Sequence, residues 1–202
     1  VVSPSAERIV WIDCEMTGLD LGVDALVEVA VLVTDSDLEI IDEGIDVVIK
    51  PSDESLAQMR EVVRTMHTTS GLLEELPNGV TLEEANRLVL EYVRGHVPEA
   101  RKAPLAGNSV GTDRGFLARD MPELDDHLHY RIIDVSSIKE LARRWYPRAY
   151  FAAPAKNGGH RALADIRESI TELRYYRQAV FVPDPGPDSA TAKAAAERVT
   201  RG

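Results

Sequence analysis

Apolar residues follow two rhythms along the chain. Residues 8–15 (RIVWIDCE) and 25–34 (ALVEVAVLVT) are dense in β-branched and apolar side chains and predict buried strands, with a third strand over 40–50. Asp35-Ser36-Asp37 supplies turn chemistry between the second and third, so these strands form an antiparallel meander. After Pro51 the spacing becomes helical, over 53–66 and 81–96, and Thr81 with Glu84 makes a capping box for the second. A short strand over 104–107 leads into a helix over 112–119 that ends before Pro122. A strand over 131–135 precedes a helix over 136–145 that stops at Pro147, and a Pro/Gly-containing loop (152–159) precedes a long helix over 161–182. This order predicts an α/β fold, a mixed five-stranded sheet with helices on both faces.

The ends read differently. Residues 1–7 are expected to be frayed, and a first residue other than Met reads as processing or trimming. Asp184-Pro185-Gly186-Pro187 breaks the chain, and the Ala-rich 189–201 is short against the roughly 12–15 residues an isolated helix needs. One domain over 8–182 and a flexible tail over 183–202 are expected.

Length and composition suit an ordinary globular domain: 202 residues, 44% apolar and 28% charged. The longest apolar run, Val29 to Val33, is too short for a membrane span or a signal-peptide core. One cysteine, Cys14, excludes an internal disulfide and a cysteine metal cage. A cytoplasmic protein without membrane partners is expected. The 23 Lys+Arg against 34 Asp+Glu leave a net charge of −11, which opposes long double-stranded nucleic acid. Residues 131–161 carry seven Lys/Arg against two Asp/Glu, so a small, locally held anion remains compatible with that charge.

The candidate chemistry begins at Asp13 and Glu15. Residues i and i+2 of a strand share a face, so two carboxylates project together from an apolar run, and divalent cations relieve such a pair. For D-x-E taken alone, a strand-end cap or an arginine partner is the better explanation. Asp113 follows Asn108-Ser109 and falls in a first helical turn, where the macrodipole alone favours it. His160 stands at a helix start after Gly158-Gly159, with Asp165 about one turn inside, beside an expected stripe of Leu163, Ile166, Ile170 and Leu173. A loop histidine beside carboxylates suits a general base. The remaining histidines lack zinc-ligand spacing. Four carboxylates and a histidine in this order make a two-metal phosphodiester site.

Asp13-x-Glu15, Asp113 and His160-(x4)-Asp165 resemble the motifs of the DEDDh 3′-to-5′ exonucleases, which have a ribonuclease H-like fold. WIDCEMTGLD (11–20), MHTTSGL (66–72), GNSVGTDRGFL (107–117), HYRIIDVSSIKELARRW (129–145) and HRALADIRESI (160–170) resemble the oligoribonuclease branch, over most of 9–181. The resemblance implies two Mg²⁺ or Mn²⁺ ions, with Asp13 bridging, Glu15 and Asp165 completing one site, and Asp113 supporting the other. His160 then takes a proton from the attacking water, and a nucleoside 5′-monophosphate leaves. Substrates would be short RNA, above all 5′-phosphorylated dinucleotides such as pGpG. Leu19 would wedge between bases, Ser109 and Ser136 hold the 5′-phosphate, and His67 assist binding. Tyr130 and Arg131 would complete the partner's site in a homodimer. Many members carry a base-stacking tryptophan where Val62 stands, which weakens base grip. Plainer readings make Leu19 a core residue, the serines loop and cap residues, Tyr130 a packing residue, and Arg143, Arg144 and Arg148 a solvated helix end. The competing functions are a DEDDh exonuclease for longer RNA or DNA ends, and a non-catalytic nucleotide-binding module.

Overall fold

The leading apolar runs form the antiparallel half of a five-stranded sheet: β1 (Ile9–Met16) pairs with β2 (Leu26–Thr34), and β2 with β3 (Ile45–Val48). On the other side β4 (Pro104–Gly107) runs parallel to β1, and β5 (His129–Asp134) parallel to β4, giving the order β3-β2-β1-β4-β5. These features come from a computed structural model that describes residues 4–156 and 159–200. Residues 1–3 of the expected frayed start, Gly158 of the approach to His160, and residues 201–202 lie outside the described residues.

The central strand divides its side chains between two cores. Val10, Ile12, Cys14 and Met16 pack with α4 (Leu82–His96), α5 (Gly111–Asp120) and α6 (Pro122–His127). Trp11, with Ala30 and Leu32 of β2, packs with α7 (Val135–Trp145) and α9 (Ala162–Ala179). Each face therefore buries one parity of β1. On α9 the inward face is Ala162, Ile166, Ile170 and Leu173, while Leu163 is half-buried.

Several sequence expectations change. The helix over 53–66 is two, α1 (Asp53–Gln58) and α2 (Glu61–Thr69), because Met59 turns extended (ψ 120°) and buries its side chain. Packing there overrides propensity. A short α3 (Leu72–Glu75) and a 3-10 turn follow. The third strand shortens to Ile45–Val48 because Asp42-Glu43-Gly44 interrupts it: the Gly44 N–H donates to Asp42 Oδ1 and Gly44 takes φ +81°. α5 and α7 end before Pro122 and Pro147 as expected, and the same prolines open α6 and α8 (Pro147–Phe151), as proline can at a first helical position. At the start, Pro4–Glu7 makes a 3-10 turn. In the tail, 189–201 contains a helix after all, α10 (Ser189–Thr200); its alanines favour it and Asp188 Oδ1 accepts the Thr191 N–H. None of its residues is buried. No described helix is long and apolar enough to cross a membrane.

The Trp11 indole Nε1–H donates to Thr34 Oγ1 at 3.0 Å, and both residues are fully buried. Replacing Thr34 by Val keeps the volume and strands the indole donor. Urea unfolding should register a loss of about 1–3 kcal/mol; an unchanged midpoint would mean the indole has another partner.

Candidate active site

The face of β1 that is apolar at Trp11 turns acidic at Asp13 and Glu15. In the β1–β2 register Asp13 lies opposite Ala30 and Glu15 opposite Glu28, so the acidic stretch spans two strands. Two helix starts converge on it. Asp113 sits in the first turn of α5, and its Oδ1 accepts the Cys14 N–H at 2.9 Å, which ties that helix end to β1. Asp165 sits in the first turn of α9, with the exposed His160 just ahead in a left-handed conformation, φ +49°.

Asp13, Glu15, Asp113 and Asp165 line one cavity of about 460 Å³, together with Leu19 and Ser109. Among the described residues, the tightest potential metal-binding group is Glu15, His160 and Asp165, whose donor atoms lie within 4.8 Å of one another. Asp13 lines the same cavity as Glu15 and Asp165 but lies outside this three-residue group. Oxygen-rich donors with one imidazole, gathered in a half-buried cleft, are a chemistry that fits a divalent cation.

The protein alone does not neutralise this charge. Burial, then the Asp113 and Glu15 charges, push the Asp13 carboxyl up to about 9. Burial, then Glu28 and Asp165, push Glu15 to about 8, and burial pushes Asp113 to about 7 against the Cys14 amide. Asp165 is raised by burial and Glu168, with His160 and Lys156 opposing.

The expected substrate residues are distributed unevenly. Leu19 is 69% exposed, which excludes a core role. It projects from a turn closed by Asp24, whose carboxylate accepts from Thr17 Oγ1–H and the Asp20 N–H. A Cβ on Gly18 would lie 2.3 Å from that carboxylate, so only glycine permits the closure. Ser109 and Ser136 meet, their hydroxyl oxygens 3.1 Å apart. Ser136 is not the cap of α7. Asp134 is, and its Oδ1 accepts both the Ser136 and the Ser109 N–H at 2.9 Å. Behind the pair, Asn108 Oδ1 accepts the Ser136 hydroxyl, and Asn108 Nδ2 donates to Ser169 and to Glu172.

His67 changes role. It is fully buried, and its Nε2–H donates to the Met16 carbonyl at 2.8 Å while Nδ1 stands 3.9 Å from Glu15. It supports the end of β1 rather than presenting a ring to the cavity. Val62 is exposed on α2; Val63 and Met66 line the cavity instead, with no aromatic among its described lining residues. Tyr130, 73% exposed, stacks on His129, and neither it nor Arg131 lines the cavity of its own chain. Arg143 and Arg144 pair with Glu140 on an exposed helix face, as a solvated helix end does.

Glu28, Arg161, Asp134 and Asn108 escaped the sequence reading. The one clear signal was Glu28, an acid inside the otherwise apolar run LVEVAVLV.

Comparison with known proteins shows the family. The exonuclease family RNase_T matches residues 10–173. An oligoribonuclease of Streptomyces griseus is 71% identical over 194 residues, 96% of each chain. One of Leifsonia xyli is 62% identical over 198 residues, 98% of this chain and 96% of that one. Among solved structures, exonuclease I of Methylocaldum szegediense superposes with a TM-score of 0.63 at 19% identity, over 86% of this chain and 41% of that one. A second exonuclease I structure gives 0.65 at 15%, over 85% and 41%. These structures share the expected ribonuclease H-like fold. The chain thus belongs to the RNase_T exonuclease family and is a nuclease of its oligoribonuclease branch.

Proposed function

We propose that this enzyme degrades short RNA from the 3′ end to nucleoside 5′-monophosphates, with 5′-phosphorylated dinucleotides such as pGpG as favoured substrates. The observation that carries this reading is the sharing of one cavity by four carboxylates and Ser109, whose hydroxyl meets that of Ser136. Two hydroxyls can hold a terminal phosphate, and the fixed distance from them to the carboxylates measures substrate length. The acidic balance agrees, because a few donors can grip one phosphate where a long backbone is repelled.

Asp13, Glu15, Asp113 and Asp165 hold two Mg²⁺ or Mn²⁺ ions in this reading. Bound there, such ions supply positive charge to the attacking and leaving oxygens of an in-line displacement. His160, at the exposed edge of the cluster, takes the proton of the attacking water. Leu19 separates the two bases. Tyr130 and Arg131 serve the cavity of a second copy, and the exposed apolar residues Ile132, Leu141, Trp145 and Phe151 suit a homodimer contact. Residues 8–182 form the exonuclease domain, and 183–202 a tail outside it.

With Mn²⁺, pGpG should be cleaved at least about tenfold faster than RNAs of about 7 and about 20 nucleotides, and Asp13→Ala should abolish all three activities. Ser136→Ala should raise KM for pGpG by about tenfold, the equivalent of one charge-assisted hydrogen bond. Equal rates on all lengths would favour a general exonuclease, with the serines reduced to structural residues.

The raised carboxyls link stability to pH and metal. Each holds its proton to a higher pH in the folded chain than in the unfolded one, where values of 3.8 to 4.5 apply. The folded state therefore binds more protons between those values and about 7 to 9, and stability falls as pH rises through that window. Thermal melts in EDTA should show a Tm that declines toward alkaline pH. Mn²⁺ should restore it, with a gain that widens as pH rises, because the ions displace those protons. A metal gain independent of pH would place binding away from this cluster.

A further inference from the structure

We propose that Glu28 and Arg161 form an anchor that positions His160 for the reaction, an inference that rests on the nuclease reading above. Glu28 is fully buried on β2, directly across from Glu15. Both its oxygens have partners. Oε1 accepts the Arg161 Nε–H at 2.9 Å, and Oε2 accepts the Ala162 N–H at 2.9 Å. Ala162 opens α9, and that helix has no cap bond from the side chain of its own N-cap residue, Arg161. A carboxylate from a neighbouring strand thus does the work of the missing cap.

The guanidinium extends the tie. Arg161 Nη1 and Nη2 donate to the two Glu75 oxygens at 2.7 and 3.2 Å, with Asp46 3.9 Å away. One side chain therefore joins α9 to β2 and α3. His160 is the residue immediately before it, and a non-glycine at φ +49° persists only where its surroundings fix it. The anchor binds the next two residues, so the chain turns at His160 and nowhere later. That turn sets the imidazole within reach of Glu15 and Asp165. A buried ion pair gives little net stability over an apolar pair of the same volume, which leaves geometry as what this one contributes.

The test uses the full chain with Mn²⁺ and pGpG, and the variants Glu28→Gln, Arg161→Gln, their combination, and Arg161→Lys. Each single Gln variant should lower kcat about 10–100-fold with KM within about twofold. The double variant should lose no more than the worse single one, because the pair acts as a unit, and Arg161→Lys should recover part of the loss. Calorimetric Mn²⁺ affinity should stay within about threefold, since the cavity carboxylates remain. Two readings need no turnover: the Ala162 amide should exchange faster in Glu28→Gln, and Mn²⁺ should broaden the His160 ring resonances less in both variants than in the wild type. Folded variants with wild-type kcat, losses that multiply in the double variant, or unchanged His160 broadening would overturn the proposal. If Glu28→Gln fails to fold, Arg161→Gln, altered at a partly exposed side chain, carries the test. Failure of the wild type on pGpG would count against the dinucleotide reading alone, because exchange and broadening report the anchor directly.

Discussion

Carboxylates placed side by side away from water repel one another and resist ionisation, and Asp13, Glu15, Glu28, Asp113 and Asp165 share one end of a single sheet. The surrounding structure answers that charge in three ways. Glu28 has a guanidinium and a helix amide. Asp113 has the Cys14 amide and the positive end of α5. Asp13, Glu15 and Asp165 keep raised proton affinities, Glu15 despite the opposing charge of Arg161, and so does Asp113 despite its amide. This division leaves Glu28 as a support and the four cavity carboxylates available for chemistry.

The same division explains the layout around the cavity. A helix start offers unpaired amides as well as a dipole, and the site uses three such starts. α5 brings Asp113, α9 brings Asp165, and α7 is capped by Asp134, which also fixes Ser109. The serine pair and the acidic cluster are thereby set by helix ends docked on neighbouring parallel strands β4 and β5 and on β1. Little of this depends on long flexible segments.

Much of the fold was legible because its signals are local. The alternation of β1, the apolar run of β2, the Asp35 turn and the Thr81 cap each act within a few residues, and each is present in the structure, although the Glu84 carboxylate of the expected capping box turns to Arg87 instead. The broken helix at Met59 was not legible, because its cause is the burial of that side chain, which no local spacing announces. Pro122 and Pro147 were ambiguous, since proline ends one helix and begins the next with equal ease. Within the site, motif spacing pointed to the residues that line the cavity. It could not reveal the supports: Asp134 reaching Ser109, Asn108 reaching Glu172, and Glu28 reaching α9 are contacts between elements far apart in the chain. His67 shows the converse. Its motif suggested contact with substrate, while its burial makes it a brace for Met16.

β1 is paired along both edges, and its two faces have unrelated duties. Successive residues alternate between the layer that holds Phe116 and the layer that ends in the acidic cluster. Gain or loss of one residue ahead of Asp13 would exchange those duties, sending two carboxylates into the hydrocarbon layer. Over evolutionary time this strand can therefore change its letters but not its length.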